Sequence, residues 1–98
     1  SCGAVKGACD DAKLGNLTSM LAKIKPAVDS TPMPSDISIR NSSNISFVND
    51  VAVKNVELNI QNILNSSEVI SEMVNNGEVK IIGAIYDVST GAVNFLNN

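Results

Sequence analysis

The chain has 98 residues, 44% of them hydrophobic, and a formal net charge of −3. That length allows one small domain or part of a larger one, and that apolar content excludes wholesale disorder. With no basic cluster and no apolar run as long as a membrane span, the composition argues against nucleic-acid and membrane partners.

Two cysteines are too few for a secreted disulfide scaffold, and the absence of histidine leaves no imidazole for a metal, a catalytic triad or a proton shuttle. The chain does not start with methionine, so any targeting segment is expected before Ser1.

Ser1-Cys2-Gly3-Ala4-Val5-Lys6-Gly7-Ala8-Cys9-Asp10-Asp11-Ala12-Lys13 reads as a short helix over 3–13, with Gly3 and Gly7 allowing close approach by other backbones. Cys2 falls at its N-terminus, where the helix dipole favours negative charge, although a lone cysteine is more often a small buried thiol. On a helix, seven residues span about 10 Å, whereas two thiolates on one zinc lie within roughly 4.6 Å of each other. Cys2 and Cys9 therefore cannot share a metal on one helix, and Cys9 reads as core.

A second helix is expected over 16–28, capped by Asn16, with Leu17, Met20, Leu21, Ile24 and Val28 on its buried face. Pro26 should kink or shorten its last turn. Residues 29–43 hold Pro32, Pro34 and many Ser and Asp, and read as a loop long enough to wrap a partner or to move.

The longest helix follows over 44–64, with Ser43 as its cap and a stripe of Val48, Val51, Ala52, Val56, Ile60, Ile63 and Leu64. Asn65-Ser66-Ser67-Glu68 should break it and cap a further helix over 66–76, which Gly77 ends as a left-handed C-cap. Four N-glycosylation sequons, at Asn16, Asn41, Asn44 and Asn65, are what an Asn- and Ser-rich chain produces by chance.

Val79 to Val88 is β-branched, aromatic or small, with apolar residues on both faces of a period-2 pattern, as in a central strand of a covered sheet. A turn at Asp87-Val-Ser-Thr-Gly91 and a weaker strand over 92–96 complete a hairpin expected to pack on the stripe of the long helix.

Two separated stretches carry a family resemblance. Ser1-Cys2-Gly3-Ala4-Val5-Lys6-Gly7-Ala8, with Leu14-Gly15-Asn16-Leu17, resembles the segment after the metal histidine of β-class carbonic anhydrases. Asn55-Val56, the Ser66-Ser67 break and Gly77-Glu-Val-Lys-Ile-Ile-Gly-Ala-Ile-Tyr-Asp-Val-Ser-Thr-Gly91 resemble that family's C-terminal end. Order and spacing agree over essentially the whole chain.

The resemblance implies an α/β fold in which residues 1–98 form a single partial domain, the helices and C-terminal β-hairpin of the family's parallel sheet. It implies a zinc lyase that hydrates carbon dioxide reversibly to bicarbonate, with zinc held by two cysteines and one histidine. Cys2 matches the second cysteine, and Gly3 beside it would line the substrate site. The matching histidine would stand two places before Ser1, and the Cys-x-Asp-x-Arg motif and the first three parallel strands are not found in the chain.

The expectation is accordingly a piece of a zinc-dependent carbonic anhydrase, inactive alone, cytoplasmic, and a homodimer or higher oligomer. The alternative is a non-catalytic oligomerisation or binding module derived from the same family.

Overall fold

The computed structural model describes residues 2–96. It is mixed α/β: α1 (Gly3–Cys9), α2 (Leu17–Leu21), α3 (Lys25–Ser30), a 3-10 turn (Ile37–Ile39), α4 (Ile45–Ser66), α5 (Glu68–Asn75), β1 (Ala84–Tyr86) and β2 (Val93–Phe95). Two compact units, Ser1–Asn55 and Val56–Asn98, divide the chain within α4.

The first unit contains the core: Val5, Ala8, Cys9, Leu21, Ala27, Val28, Phe47, Val48 and Val51 are buried, with α1 packed on α2 and α3. Helix α1 stops at Cys9, short of the expected Lys13. Asp11 takes a φ of 54°, and the N–H groups of Asp11 and Ala12 donate to the carbonyls of Ala8 and Gly7. This is a Schellman stop, in which a left-handed residue turns the chain back on its own last carbonyls. Consecutive aspartates favour such an end, because they oppose the negative helix terminus.

The single helix expected over 16–28 is two. A proline ring inside a helix collides with the carbonyl four residues back, which for Pro26 is that of Ala22. Helix α2 ends at Leu21, two tighter bonds follow (Lys23 N–H to Met20 and Ile24 N–H to Leu21), and α3 restarts with Pro26 in its first turn. The break rotates the apolar face, so Leu21 and Val28 are buried while Leu17 and Met20 are exposed. Asn16 makes no side-chain cap bond.

The loop at 29–43 is ordered within this unit. Asp29 and Ser30 belong to α3, and the Arg40 guanidinium donates to the carbonyls of Thr31 (2.8 Å), Pro34 (2.9 Å) and Val28 (2.8 Å) while lying 4.6 Å from the Phe47 ring centroid. The N-cap of α4 is supplied by Asn44, whose side-chain oxygen accepts the Phe47 N–H, one residue beyond the Ser43 that the sequence suggests.

In the second unit Ser67 caps α5 by accepting the Ile70 N–H, and Gly77, at φ 75°, ends it with the N–H groups of Gly77 and Glu78 bonded to Val74 and Met73. The strands pair antiparallel, Ala84 with Phe95, Ile85 with Asn94 and Tyr86 with Val93, and the Leu96 N–H extends the ladder to Gly83. The pairing is shorter than the expected 79–88 and 92–96, because residues 79–82 find no strand partner among the described residues. No parallel pair is formed there either.

The hairpin does approach the helix stripe. A Cβ added at Gly83 would lie 2.6 Å from Val56 Cγ1 and 3.3 Å from Ile60 Cδ1. Gly83 is the only buried residue of this unit among those described.

Replacing Gly83 by Ala should destabilise the chain by about 1–3 kcal/mol, because β-branched Val56 has little freedom to move aside. Adding Val56→Ala should restore most of the loss; urea titration of the single and double variants measures both. Arg40→Lys should cost about 1–3 kcal/mol, since one ammonium cannot replace a planar fork on three carbonyls and a ring. An unchanged urea midpoint in that variant would count against the clamp.

Candidate functional site

Cys2 is the N-cap residue of α1, with extended backbone (φ −75°, ψ 128°), and its carbonyl accepts the Lys6 N–H at 3.0 Å. Its thiol is free and exposed, as is Gly3, which has open space around its α-carbon. Gly7, one turn on, faces Leu21, so only the second of the two glycines serves helix packing. The thiol is therefore presented outward at the end of a helix whose other end is anchored in the core.

Cys9 closes the same helix and is buried. Burial pushes its thiol up from the ordinary range, Asp10 adds to the effect, and Arg40 opposes it. Cys9 thus stays protonated at neutral pH and behaves as a core side chain. With one cysteine at each end of α1, the two are separated by about 10 Å, and the structure keeps them apart as the helical spacing requires.

The acids near α1 are engaged. The Asp10 carboxylate accepts both the Ser42 N–H (2.8 Å) and the Ser42 hydroxyl (2.6 Å), and these bonds hold its carboxyl below the usual carboxylate range. Asp11 pairs with Lys13 at 3.2 Å and Lys25 at 3.8 Å, and Lys25 also meets Asp29 at 3.8 Å. A cavity of about 300 Å³ lies behind these ions, floored by Ala8, Leu21, Ala22 and Pro26. Neither Cys2 nor Gly3 lines it, so it is separate from the thiol.

No group of three His, Cys, Asp or Glu side chains able to hold a metal occurs among the described residues. The donors present do not fit a complete zinc site: one exposed thiol is available, the second is buried, and the nearest carboxylates are spoken for. Sequence reasoning singles out Cys2 and Gly3 as expected site residues; it does not reach Asp10 and Ser42, which tie down the C-terminal end of α1, or Arg40, which gathers the carbonyls at the end of α3. The one available signal was that Arg40 is the chain's single arginine.

The family model for carbonic anhydrase matches residues 1–93. The chain belongs to the carbonic anhydrase family. Both stretches that resemble the β class, around Cys2 and from Gly77 to Gly91, lie inside the match, and the match is consistent with that class. Searches of curated proteins and of solved structures returned no match. No helix among the described residues is long and apolar enough to cross a membrane.

The Asp10–Ser42 contact joins residues 32 apart in sequence, so unfolding breaks it. The folded carboxyl is lowered relative to the unfolded chain's value of about 3.9, so its contribution is present above that pH and is lost as pH falls through the folded value. Asp36 and Asp87 are lowered too, by serines only two residues away, and such local bonds re-form readily in unfolded chain. Asp10→Asn should therefore lower the urea midpoint at neutral pH and flatten its decline as pH falls below about 4. An unaltered decline would remove Asp10 from the account.

Proposed function

We propose that the chain serves reversible hydration of carbon dioxide to bicarbonate as one part of a larger zinc-dependent carbonic anhydrase, and is inactive alone. The family match over residues 1–93 carries this reading. In it, Cys2 supplies one metal thiolate from the exposed end of α1, and Gly3 lines the substrate site without a bulk of its own. The remaining ligands come from residues other than these. Zinc, when bound, supplies hydroxide by acidifying its water near neutral pH. What the present residues do is position the thiol: the Asp10–Ser42 bonds tie down the far end of the helix, and Gly7 lets α1 settle on Leu21. Two free thiols accord with a cytoplasmic setting.

A second reading, a non-catalytic oligomerisation or binding module, draws on the hairpin. The register places Tyr86, Val93 and Phe95 on one face, and all three are exposed. Apolar faces of this kind mark association surfaces, and a homodimer or higher oligomer is proposed under either reading.

The isolated chain with added zinc should give no carbon dioxide hydration above the buffer rate in stopped flow. Refolded with a segment carrying Cys-x-Asp-x-Arg and the metal histidine, it should gain activity that Cys2→Ser abolishes and Cys9→Ala spares. Robust hydration by the 98 residues alone would overturn the reading. So would activity in the mixture that survives Cys2→Ser, and a mixture that stays inactive would leave the module as the better account.

A further inference from the structure

We infer that Asn76–Gly77 is a site of spontaneous deamidation, and that opening of the α5 C-cap sets its rate. It is the chain's one Asn-Gly pair, and both residues are exposed to water, the second reactant. Without a Cβ on the following residue, the Gly77 nitrogen meets the least steric resistance in reaching the Asn76 side-chain carbon. In the reaction that nitrogen loses its proton and forms a bond to Cγ of Asn76. The Cγ–N bond of the side-chain amide breaks and ammonia leaves, carrying the proton. Water then opens the five-membered imide at either carbonyl, giving aspartate or isoaspartate. The net change is amide plus water to carboxylic acid plus ammonia, with no oxidant or reductant.

The folded geometry withholds the nucleophile. Asn76 sits at φ −83° and ψ −2°, and the Gly77 N–H is donated to the Val74 carbonyl at 3.1 Å. The Glu78 N–H, donated to Met73 at 2.9 Å, holds the same turn from the other side. Attack on Asn76 requires the Gly77 nitrogen to leave Val74, so reaction proceeds from the cap-open state.

That state is accessible. Helix α5 has eight residues and none of them is buried, so little packing opposes its fraying. Other asparagines are placed differently. Asn44 and Asn41 have both ends of their amides hydrogen-bonded, and Asn65 lies within α4 before a serine. Among the described residues the Asn76 amide has no hydrogen-bond partner to hold it.

The products do not restore the cap. Aspartate at 76 puts a new carboxylate at the negative end of the helix, in a segment that already carries Glu68, Glu72 and Glu78. Isoaspartate adds a methylene to the main chain, so the two cap bonds can no longer close together. Either product loosens the junction between α5 and the segment leading into β1, and the change is one-way.

The test follows the full chain in mildly alkaline buffer by peptide mapping with isoaspartate detection. Asn76 should convert ahead of every other asparagine, and Asn76→Gln should remove that conversion. Ser67→Ala deletes the α5 N-cap, where the Ser67 hydroxyl accepts the Ile70 N–H at 3.2 Å, and leaves Asn76–Gly77 intact. Conversion in that variant should be about fivefold faster than in the parent, and faster still in urea. Should Ser67→Ala unfold the chain, hydrogen exchange at the Gly77 and Glu78 amides of the parent replaces it. Conversion should then rise with denaturant in step with exchange. Earlier conversion at another asparagine would overturn the site. Equal rates in native, variant and urea-unfolded chain, or conversion unlinked to amide exchange, would overturn the gate.

Discussion

The first unit depends on how the Arg40 guanidinium is satisfied. Carbonyls left at the end of α3 and in the proline-rich stretch after it would otherwise be partly buried without donors, which is costly. One planar group serves three of them, on Val28, Thr31 and Pro34, and rests on Phe47, a fully buried ring of α4. The clamp therefore does two jobs with one side chain. It ends α3, and it brings the start of α4 back over the core.

A second tie follows the clamp two residues on. With Arg40 fixed, Ser42 two residues later is held where Asp10 can take both its N–H and its hydroxyl. Asp10 is the C-cap residue of α1, so the bond ties the end of the helix opposite Cys2 to the segment before α4. A long connection that composition alone marks as mobile is thereby tied at Ser42 to the end of α1. Among the described residues of the second unit only Gly83 is buried, and the caps of α5, the hairpin ladder and the approach of that glycine to Val56 and Ile60 contribute to its order.

What was legible in the sequence was local. Ser67 before Glu68, Gly77 after Asn76 and Gly91 after Thr90 each declare a backbone requirement through their own side chain or its absence, and each occupies the position expected. The Cys-Gly-Ala start and the Gly-x-x-Tyr-Asp-x-x-Thr-Gly hairpin declare the family for the same reason, as fixed short patterns. Phe47 was not picked out because a stripe beginning at Val48 already satisfies the helical period, and its neighbour gains its weight only from Arg40. The partner of Asp10 could not be found from spacing, since no periodicity links residues 32 apart. Pro26 was half legible: the collision was foreseeable, but not that the helix would yield at Ala22 and rotate Leu17 and Met20 outward.

The left-handed residue that ends α1 carries one more consequence. At φ 54° an aspartate sits where glycine adopts the same backbone at lower cost, and that cost is steric, hence indifferent to dissolved ions. The return comes through Lys13 and Lys25, at the exposed surface, where counter-ions shorten the reach of every charge. The two sides of this balance respond differently to the medium. In dilute buffer the aspartate holds two cations together across the turn; in concentrated brine it keeps only its steric burden, and the turn after α1 loosens as ionic strength rises.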